Sequence, residues 1–184
     1  MKQSRLFAAV ITLALLGVMV VSCGSKSVTF PDEGVEKSAR FALSRLPYAL
    51  SKPPDEEITA AELGKLTQLN LSFGSDTDLT GIEYCVNLTY LTLSKNQISN
   101  ISPLANLTSL TYLYLQDTQI SDVSPLANLT NLTELWLSDT QISDISPLVN
   151  LTNLTPLYLE NNQISDISPL ANLTNLRVLL LKNN

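Results

Sequence analysis

Histidine is absent from this 184-residue chain, and cysteine occurs only twice. Without histidine the chain lacks the most common general base and the most common metal ligand of proteins. The sequence shows no pattern of a nucleophilic residue with a general base, and no cluster of residues spaced like metal ligands. The sequence therefore predicts no catalytic residues, no metal and no cofactor, and an enzyme is the least favoured class of function.

Basic residues are also scarce. The chain has 11 Lys and Arg against 17 Asp and Glu, which gives a net charge of −6 at pH 7. Proteins that bind nucleic acids neutralise phosphates with clustered Lys and Arg, and no such cluster is present. We therefore expect no nucleic-acid partner.

The N-terminal residues resemble a bacterial lipoprotein signal peptide. Lys2 and Arg5 precede a 16-residue apolar run, LFAAVITLALLGVMVV, which is short for a membrane span and typical of an export signal. The following VVSCG resembles a lipobox, which implies cleavage before Cys23 and acylation of its thiol. An ordinary signal peptide with an incidental cysteine is the alternative. We expect a signal peptide over residues 1–22, a lipidated tether over 23–30, export, and anchoring of a surface-exposed domain to the cell membrane or outer membrane.

Cysteine pairing inside the fold is not expected. With Cys23 acylated, Cys85 has no partner left for a disulfide. Cys85 also occupies a position that leucine holds in later repeats, which predicts a buried, unreactive thiol. Stability must then come from packing.

A 22-residue repeat dominates the rest of the chain. Three leucine columns recur at this interval: Leu66, Leu88, Leu110, Leu132, Leu154 and Leu176; Leu69, Leu91, Leu113, Leu135, Leu157 and Leu179; and Leu71, Leu93, Leu115, Leu137, Leu159 and Leu181. The L-x-L alternation predicts a short strand with both leucines pointing inward, and six strands stacked in parallel. A proline in the return segment, as at Pro125, predicts a 3₁₀ or irregular convex side.

The repeat phrase ISDISPLANLTNL and the segment ITAAELGKLTQLNLS resemble the leucine-rich repeats of internalin-type bacterial surface proteins. The resemblance covers roughly residues 30–184. It implies an α/β solenoid of 22-residue coils with a concave parallel sheet, a helical N-terminal cap, and a role in adhesion or host-protein recognition. It also implies an asparagine ladder, in which Asn96 and Asn162 fit the pattern while Thr118 and Thr140 depart from it.

We place the cap at residues 31–65 and the repeats at 66–184. Asp32 is a suitable N-cap for a helix with an apolar face, and Thr59 with Glu62 is a capping-box pattern. No C-terminal cap follows Asn184, so we expect Leu179 to face outward, either because relatives are longer or because this strand is an edge for self-association.

Trp136, the only tryptophan, lies between the inward-facing Leu135 and Leu137, so alternation along the strand predicts that it points outward on the concave face. Tyr114 and Tyr158 share its column. Tyr90 and Tyr112 lie one column over. Exposed aromatic rows favour a protein-binding surface, because Tyr and Trp bury large areas and dominate binding energies. The alternative interpretation is that the rings pair across strands and stiffen the sheet.

Polar side chains flank these rings. Glu134 precedes Trp136, Gln116 and Glu160 share one column, and Asp117 and Asp139 share the next. As a set they predict a host or envelope protein ligand with basic groups around an apolar centre, although each taken singly is equally typical of a solvated rim. A carbohydrate-binding module and a self-associating scaffold are the alternative functions.

Two further positions carry expectations. Asp122, Asp144 and Asp166 stack at the repeat period, but one carboxylate per coil falls short of a calcium site, so we assign them to solvated loops. Pro156 begins the fifth strand and removes one backbone donor, which predicts a local weakening of the sheet.

Overall fold

The computed structural model describes residues 26–46, 56–71 and 77–184. The signal peptide and Cys23 lie outside the described residues, as do parts of the expected cap (47–55) and of the first repeat (72–76). The expectations for these segments therefore stay predictions. In the part of the chain that the structure describes, no helix has both the length and the apolar character of a membrane span.

Helix α1 (Glu33–Ser44) forms the cap, as expected. The Asp32 carboxylate accepts a hydrogen bond of 3.0 Å from the Val35 backbone N–H, which satisfies one of the unpaired donors of the first turn. Ion pairs of 2.7 Å join Glu33 to Lys37 and Glu36 to Arg40 along the outer side. Val35 and Ala39 turn inward and are buried.

A small antiparallel sheet completes the cap, and the sequence analysis missed it. Strand β1 (Ser27–Val28) pairs with β2 (Ile58–Thr59), which leads into the one-turn helix α2 (Ala60–Leu63). Thr59 and Glu62 form the expected capping box. Residues 27 and 28, expected in the tether, belong to the cap instead. Val28 is buried in the cap core, because pairing with β2 removes its apolar side chain from water.

Six short strands form one parallel sheet in sequence order, so the predicted solenoid is confirmed. The strands are β3 (Gln68–Asn70), β4 (Tyr90–Thr92), β5 (Tyr112–Tyr114), β6 (Glu134–Trp136), β7 (Pro156–Tyr158) and β8 (Val178–Leu180). Each residue pairs with the residue 22 positions later, as in Leu91 with Leu113. The middle leucine of each strand from β3 to β7 is buried, so the core runs as a single column inside the coils.

Five 3₁₀ helices form the return side of the coils, as predicted. They span Ile82–Tyr84, Ser102–Leu104, Ser124–Leu126, Ser146–Asn150 and Ser168–Asn172. Four of them begin with Ser-Pro, in which the fixed φ of proline suits the first turn of a helix and prevents extension into a longer one on its N-terminal side.

The two ends of the sheet differ. On the β3 side, α1 packs against the sheet. At β8, Val178, Leu179 and Leu180 are 41%, 37% and 39% exposed, which confirms that Leu179 is not enclosed as Leu157 is. Pro156 begins β7 and has no N–H to donate, whereas Tyr112 and Glu134 each donate a backbone hydrogen bond to the preceding coil from the equivalent position. β7 still pairs on both sides, and the local weakening of the sheet stays a prediction.

Candidate functional site

The concave face of the sheet presents the row of rings that the sequence predicted. Leu135 and Leu137 are buried, so the pleat directs Trp136 outward, where it is half-buried between its neighbours. Strand pairing aligns Tyr114 with Trp136 and Trp136 with Tyr158. We call Tyr90, Tyr112, Tyr114, Trp136 and Tyr158 the aromatic strip.

The rings of the aromatic strip touch one another in a continuous series. Centroid distances are 6.3 Å from Tyr90 to Tyr112, 5.4 Å from Tyr90 to Tyr114, 5.7 Å from Tyr114 to Trp136, and 4.1 Å from Trp136 to Tyr158. Successive planes are tilted by 35–48°, within the offset geometries that aromatic pairs favour. The rings thus do pair across strands, and each keeps part of its surface exposed.

Glu134 fixes the orientation of two of these rings. Its Oε1 accepts hydrogen bonds from the Tyr114 hydroxyl at 3.0 Å and from the Trp136 Nε1–H at 2.7 Å. Burial, and after it the hydrogen bond to Glu134, raises the pKa of Tyr114, so the phenol stays protonated and remains the donor. The strip is therefore ordered before any partner arrives, which reduces the entropy lost on binding.

Gln116 contributes an unsatisfied acceptor. Its Oε1 is buried and receives no hydrogen bond from any described residue. A buried acceptor without a donor costs about 1–3 kcal/mol, so such groups are uncommon in native proteins and mark sites of strain or binding. Because this oxygen is buried, a partner on the surface does not reach it, and the unpaired acceptor lowers the stability of the fold instead.

The other predicted polar residues are partly engaged within the sheet. Glu160 accepts a hydrogen bond from the Ser138 hydroxyl at 3.0 Å, and Asp139 accepts one from Asn161 Nδ2 at 2.7 Å. Asp117 and Asp139 have φ of 58° and 57°, a left-handed turn conformation that Asp tolerates better than most residues. They lie just past the strand ends. In the described residues both ion pairs are on α1, so the carboxylates beside the strip are not neutralised.

The stacked aspartates of the return side act as turn caps. Asp122, Asp144 and Asp166 each accept hydrogen bonds from the backbone and hydroxyl of the serine two residues later, and these bonds lower the pKa of all three carboxyls. No group of three or more acidic or cysteine residues is positioned to hold a metal within the described ranges. The three aspartates therefore stabilise their own turns.

A groove beside the strip was not predicted. It lies between α1 and β3, has a volume of about 500 Å³, and includes Phe41, Arg45 and Tyr90 in its lining. The sequence signal was present, since Arg45, the C-cap of α1, follows Phe41 by four residues and shares its face. That face is recognisable as a groove wall only once the helix is docked on the sheet.

Comparison with known proteins supports this fold. The family model "Leucine Rich repeats (2 copies)" matches residues 86–128 and 130–172. An internalin (InlF) from Listeria monocytogenes has 44% identity and a TM-score of 0.72, and the match covers 82% of this chain and 43% of that protein. The functional domain of InlJ from the same organism, which includes a cysteine ladder, has 23% identity and a TM-score of 0.59 over 82% of this chain and 38% of its own length, and it shows the fold alone.

A plant peptide hormone receptor, RGFR1 in complex with RGF2, has 30% identity and a TM-score of 0.50, covering 56% of this chain and 18% of the receptor. No curated protein matches the chain. The chain spans less than half the length of the two Listeria proteins. Because 82% of it aligns with InlF at 44% identity, and its six strands form the same kind of coil, the chain is an internalin-like leucine-rich-repeat protein.

Proposed function

We propose that this protein is a bacterial cell-envelope lipoprotein that binds a protein partner through the aromatic strip. Leucine-rich-repeat proteins of the internalin type generally mediate protein–protein recognition, and a receptor of related fold is known in complex with a peptide hormone. The observation that carries the proposal is Trp136, half-exposed and held between Tyr114 and Tyr158 by stacking and by Glu134. Ordered Trp and Tyr side chains at the centre of a concave face are typical binding hot spots.

The polar surroundings define the partner further. Glu134, Glu160, Asp117 and Asp139 have no cationic partner in the described residues. These groups favour a ligand that offers Lys or Arg and N–H donors around an apolar centre.

The experiment uses Trp136 as its own reporter. The chain contains one tryptophan, so biosynthetic 5-fluorotryptophan gives a single ¹⁹F resonance from the site. A partner is captured from host-cell and envelope extracts with the full chain in lipid nanodiscs, purified, and titrated against the labelled protein. We expect the resonance to shift on binding. The double variant Tyr114→Ala, Trp136→Ala should bind the partner more than about 30-fold more weakly than the wild type, as measured by surface plasmon resonance.

Val86→Ala is the matched control. It removes an exposed apolar side chain from the turn after the first 3₁₀ helix, outside the sheet, and binding should be unchanged. A partner that binds without moving the ¹⁹F signal, or that binds the double variant as tightly as the wild type, would refute the proposed site. A glycan that shifts the signal when no captured protein does would favour the carbohydrate alternative.

The membrane anchor is a separate part of the proposal. Metabolic labelling with a fatty-acid analogue should modify the wild type and not Cys23→Ser, since the first residues resemble a lipobox. Self-association through the exposed β8 strand is likewise a prediction. Sedimentation of the full chain over a range of concentrations tests it, and a monomer at every concentration would exclude it.

A further inference from the structure

The groove between α1 and β3 has two well-defined walls. Residues at helical spacing on α1 and just past its end form one wall: Ser38, Phe41, Ala42, Arg45 and Leu46. The other wall and the floor come from strands, and Gln68 and Asn70 of β3 and Tyr90 of β4 carry the outward-facing side chains. At about 500 Å³ its volume falls in the range of sites that bind small molecules or short peptide segments.

The α1 wall exposes an unusual pair of side chains. Phe41 is 62% exposed, which makes it the most exposed large apolar residue of the described chain. The Arg45 guanidinium lies 5.4 Å from the centroid of the Phe41 ring. Among the described residues no carboxylate lies within ion-pair distance of Arg45, whereas Arg40 on the same helix is held by Glu36. The exposed Arg45 guanidinium over the Phe41 ring therefore suits a ligand that offers both an apolar side chain and a carboxylate.

The groove and the aromatic strip are continuous. Tyr90 lines the groove and also stacks against Tyr112 and Tyr114 at 6.3 and 5.4 Å. Charge changes sign along this surface, with Arg45 at the cap end and Glu134 and Glu160 farther along the sheet. A partner that covers both parts therefore meets a positive end and a negative centre.

We infer that the groove is a second subsite, which binds a segment of the protein partner that carries an aromatic side chain next to a carboxylate. This inference rests on the proposed function, because the segment belongs to the protein that covers the strip. The aromatic side chain packs on Phe41 and Tyr90, the carboxylate pairs with Arg45, and the side-chain amides of Gln68 and Asn70 contact the segment's backbone. The partner thereby docks in one direction, with its acidic group toward the cap and its basic groups toward Glu160.

Three capped dipeptides test the subsite without knowledge of the partner: acetyl-Phe-Asp-amide, acetyl-Phe-Asn-amide and acetyl-Phe-Lys-amide. Each is titrated into the ¹⁵N-labelled full chain in nanodiscs, and the side-chain amide signals of Gln68 and Asn70 are followed. We expect saturable shifts, with the Asp peptide binding about threefold more tightly than the Asn peptide and the Lys peptide weakest, as an exposed charge pair gives. Arg45→Gln should make the Asp and Asn peptides equal.

Two further variants separate packing from charge. Phe41→Ala should weaken all three peptides by a similar factor, while Lys37→Ala, on the same helix but outside the groove, should leave them unchanged. No shift at Gln68 and Asn70, equal affinities for the three peptides in the wild type, or a charge preference that survives Arg45→Gln would each overturn the inference. The Trp136 indole signal reports on the strip independently, so failure of the groove leaves the capture experiment above as the test of the strip.

Discussion

At the scale of single residues, the concave face combines ordered aromatic rings with carboxylates that have no cationic partner among the described residues. Alternation along β6 was enough to predict that Trp136 faces outward. It gave no indication that one oxygen of Glu134 accepts from both Tyr114 and Trp136, because that contact depends on the twist between β5 and β6 and on three rotamers. The result is a surface whose largest side chains are already fixed in place.

Gln116 gives a first prediction at this scale. Gln116→Met keeps the length of the side chain and removes the buried, unpaired Oε1, so we expect the free energy of unfolding to rise by about 1 kcal/mol. Affinity for the captured partner should stay within about twofold of the wild type, since the buried oxygen does not reach the surface. Urea denaturation and surface plasmon resonance measure the two effects.

Gln163→Met is the control for this change. Gln163 is exposed, so its replacement should alter the free energy of unfolding by less than about 0.5 kcal/mol. A loss of stability in Gln116→Met would show that the Gln116 oxygen accepts a hydrogen bond in solution.

Cys85 gives a prediction about alkaline pH. Burial raises the pKa of its thiol from 9.0 to about 12, so between these values the unfolded thiol ionises while the folded one stays protonated. The unfolded state then binds fewer protons, and stability falls as pH rises, by up to about 1.4 kcal/mol per pH unit. The stability advantage of the wild type over Cys85→Ala should therefore shrink above pH 9.0 in urea denaturation. Parallel pH curves would mean that the thiol is solvated.

At the scale of elements, asparagine ladders join one coil to the next. The sequence predicted the ladder of Asn96 and Asn162, and the structure confirms it: Asn162 Nδ2 donates to Leu137 and Leu159 carbonyls at 2.8 and 3.0 Å. Its Oδ1 accepts from the Ile142 N–H at 3.0 Å. Thr118 reaches only the Leu115 carbonyl, at 2.7 Å. Thr118 thus closes only its own turn, whereas the Thr140 hydroxyl contacts both the Leu137 carbonyl of its own turn and Asn162 Oδ1 of the next coil.

A second ladder was missed. Asn87, Asn131, Asn153 and Asn175 each donate to a backbone carbonyl 23 residues earlier, at 2.6–2.8 Å. In the sequence Asn87, Asn131 and Asn153 look like part of a repeated N-L-T phrase, and Asn175 begins N-L-R. Only the stacking of coils brings each amide opposite its acceptor, and Asn87 uses this bond to join the first return segment to Gly64 of the cap.

The difference between the ladder residues is measurable. Asn162→Ala removes bonds to two coils and leaves buried backbone groups unpaired, so we expect a loss of about 3 kcal/mol in the free energy of unfolding. Thr118→Ala removes one local bond and should cost about 1 kcal/mol. Urea denaturation of both variants measures the ratio, and equal losses would show that the ladder adds nothing between coils.

At the scale of the whole molecule, stability should vary along the solenoid, because each coil contacts only its neighbours. Leu135 in β6 is buried and Leu179 in β8 is 37% exposed, although both occupy the same place in the repeat. Leu135→Ala should cost about 2–5 kcal/mol, whereas Leu179→Ala should cost less than about 1 kcal/mol. Urea denaturation tests the contrast. Similar losses in the full chain would show that something covers β8 in solution.

The sequence by itself determined the coil. A leucine at every twenty-second position leaves few ways to bury so many apolar side chains, and the alternation within each strand then decides which residues face outward. For the same reason Asp32, Thr59 and Glu62 were recognisable as caps from local patterns alone.

Only the tertiary structure decided how those parts meet. The pairing of Ser27–Val28 with Ile58–Thr59, the bridge through Glu134, the unpaired oxygen of Gln116 and the groove beside Phe41 and Arg45 all join segments distant in sequence or depend on exact rotamers. Periodicity specifies the direction of a side chain but not its neighbours, since contacts depend on the twist and stacking of whole coils. Packing therefore determines the shape of the surface that a partner would contact, although the repeat pattern already predicts which residues lie on it.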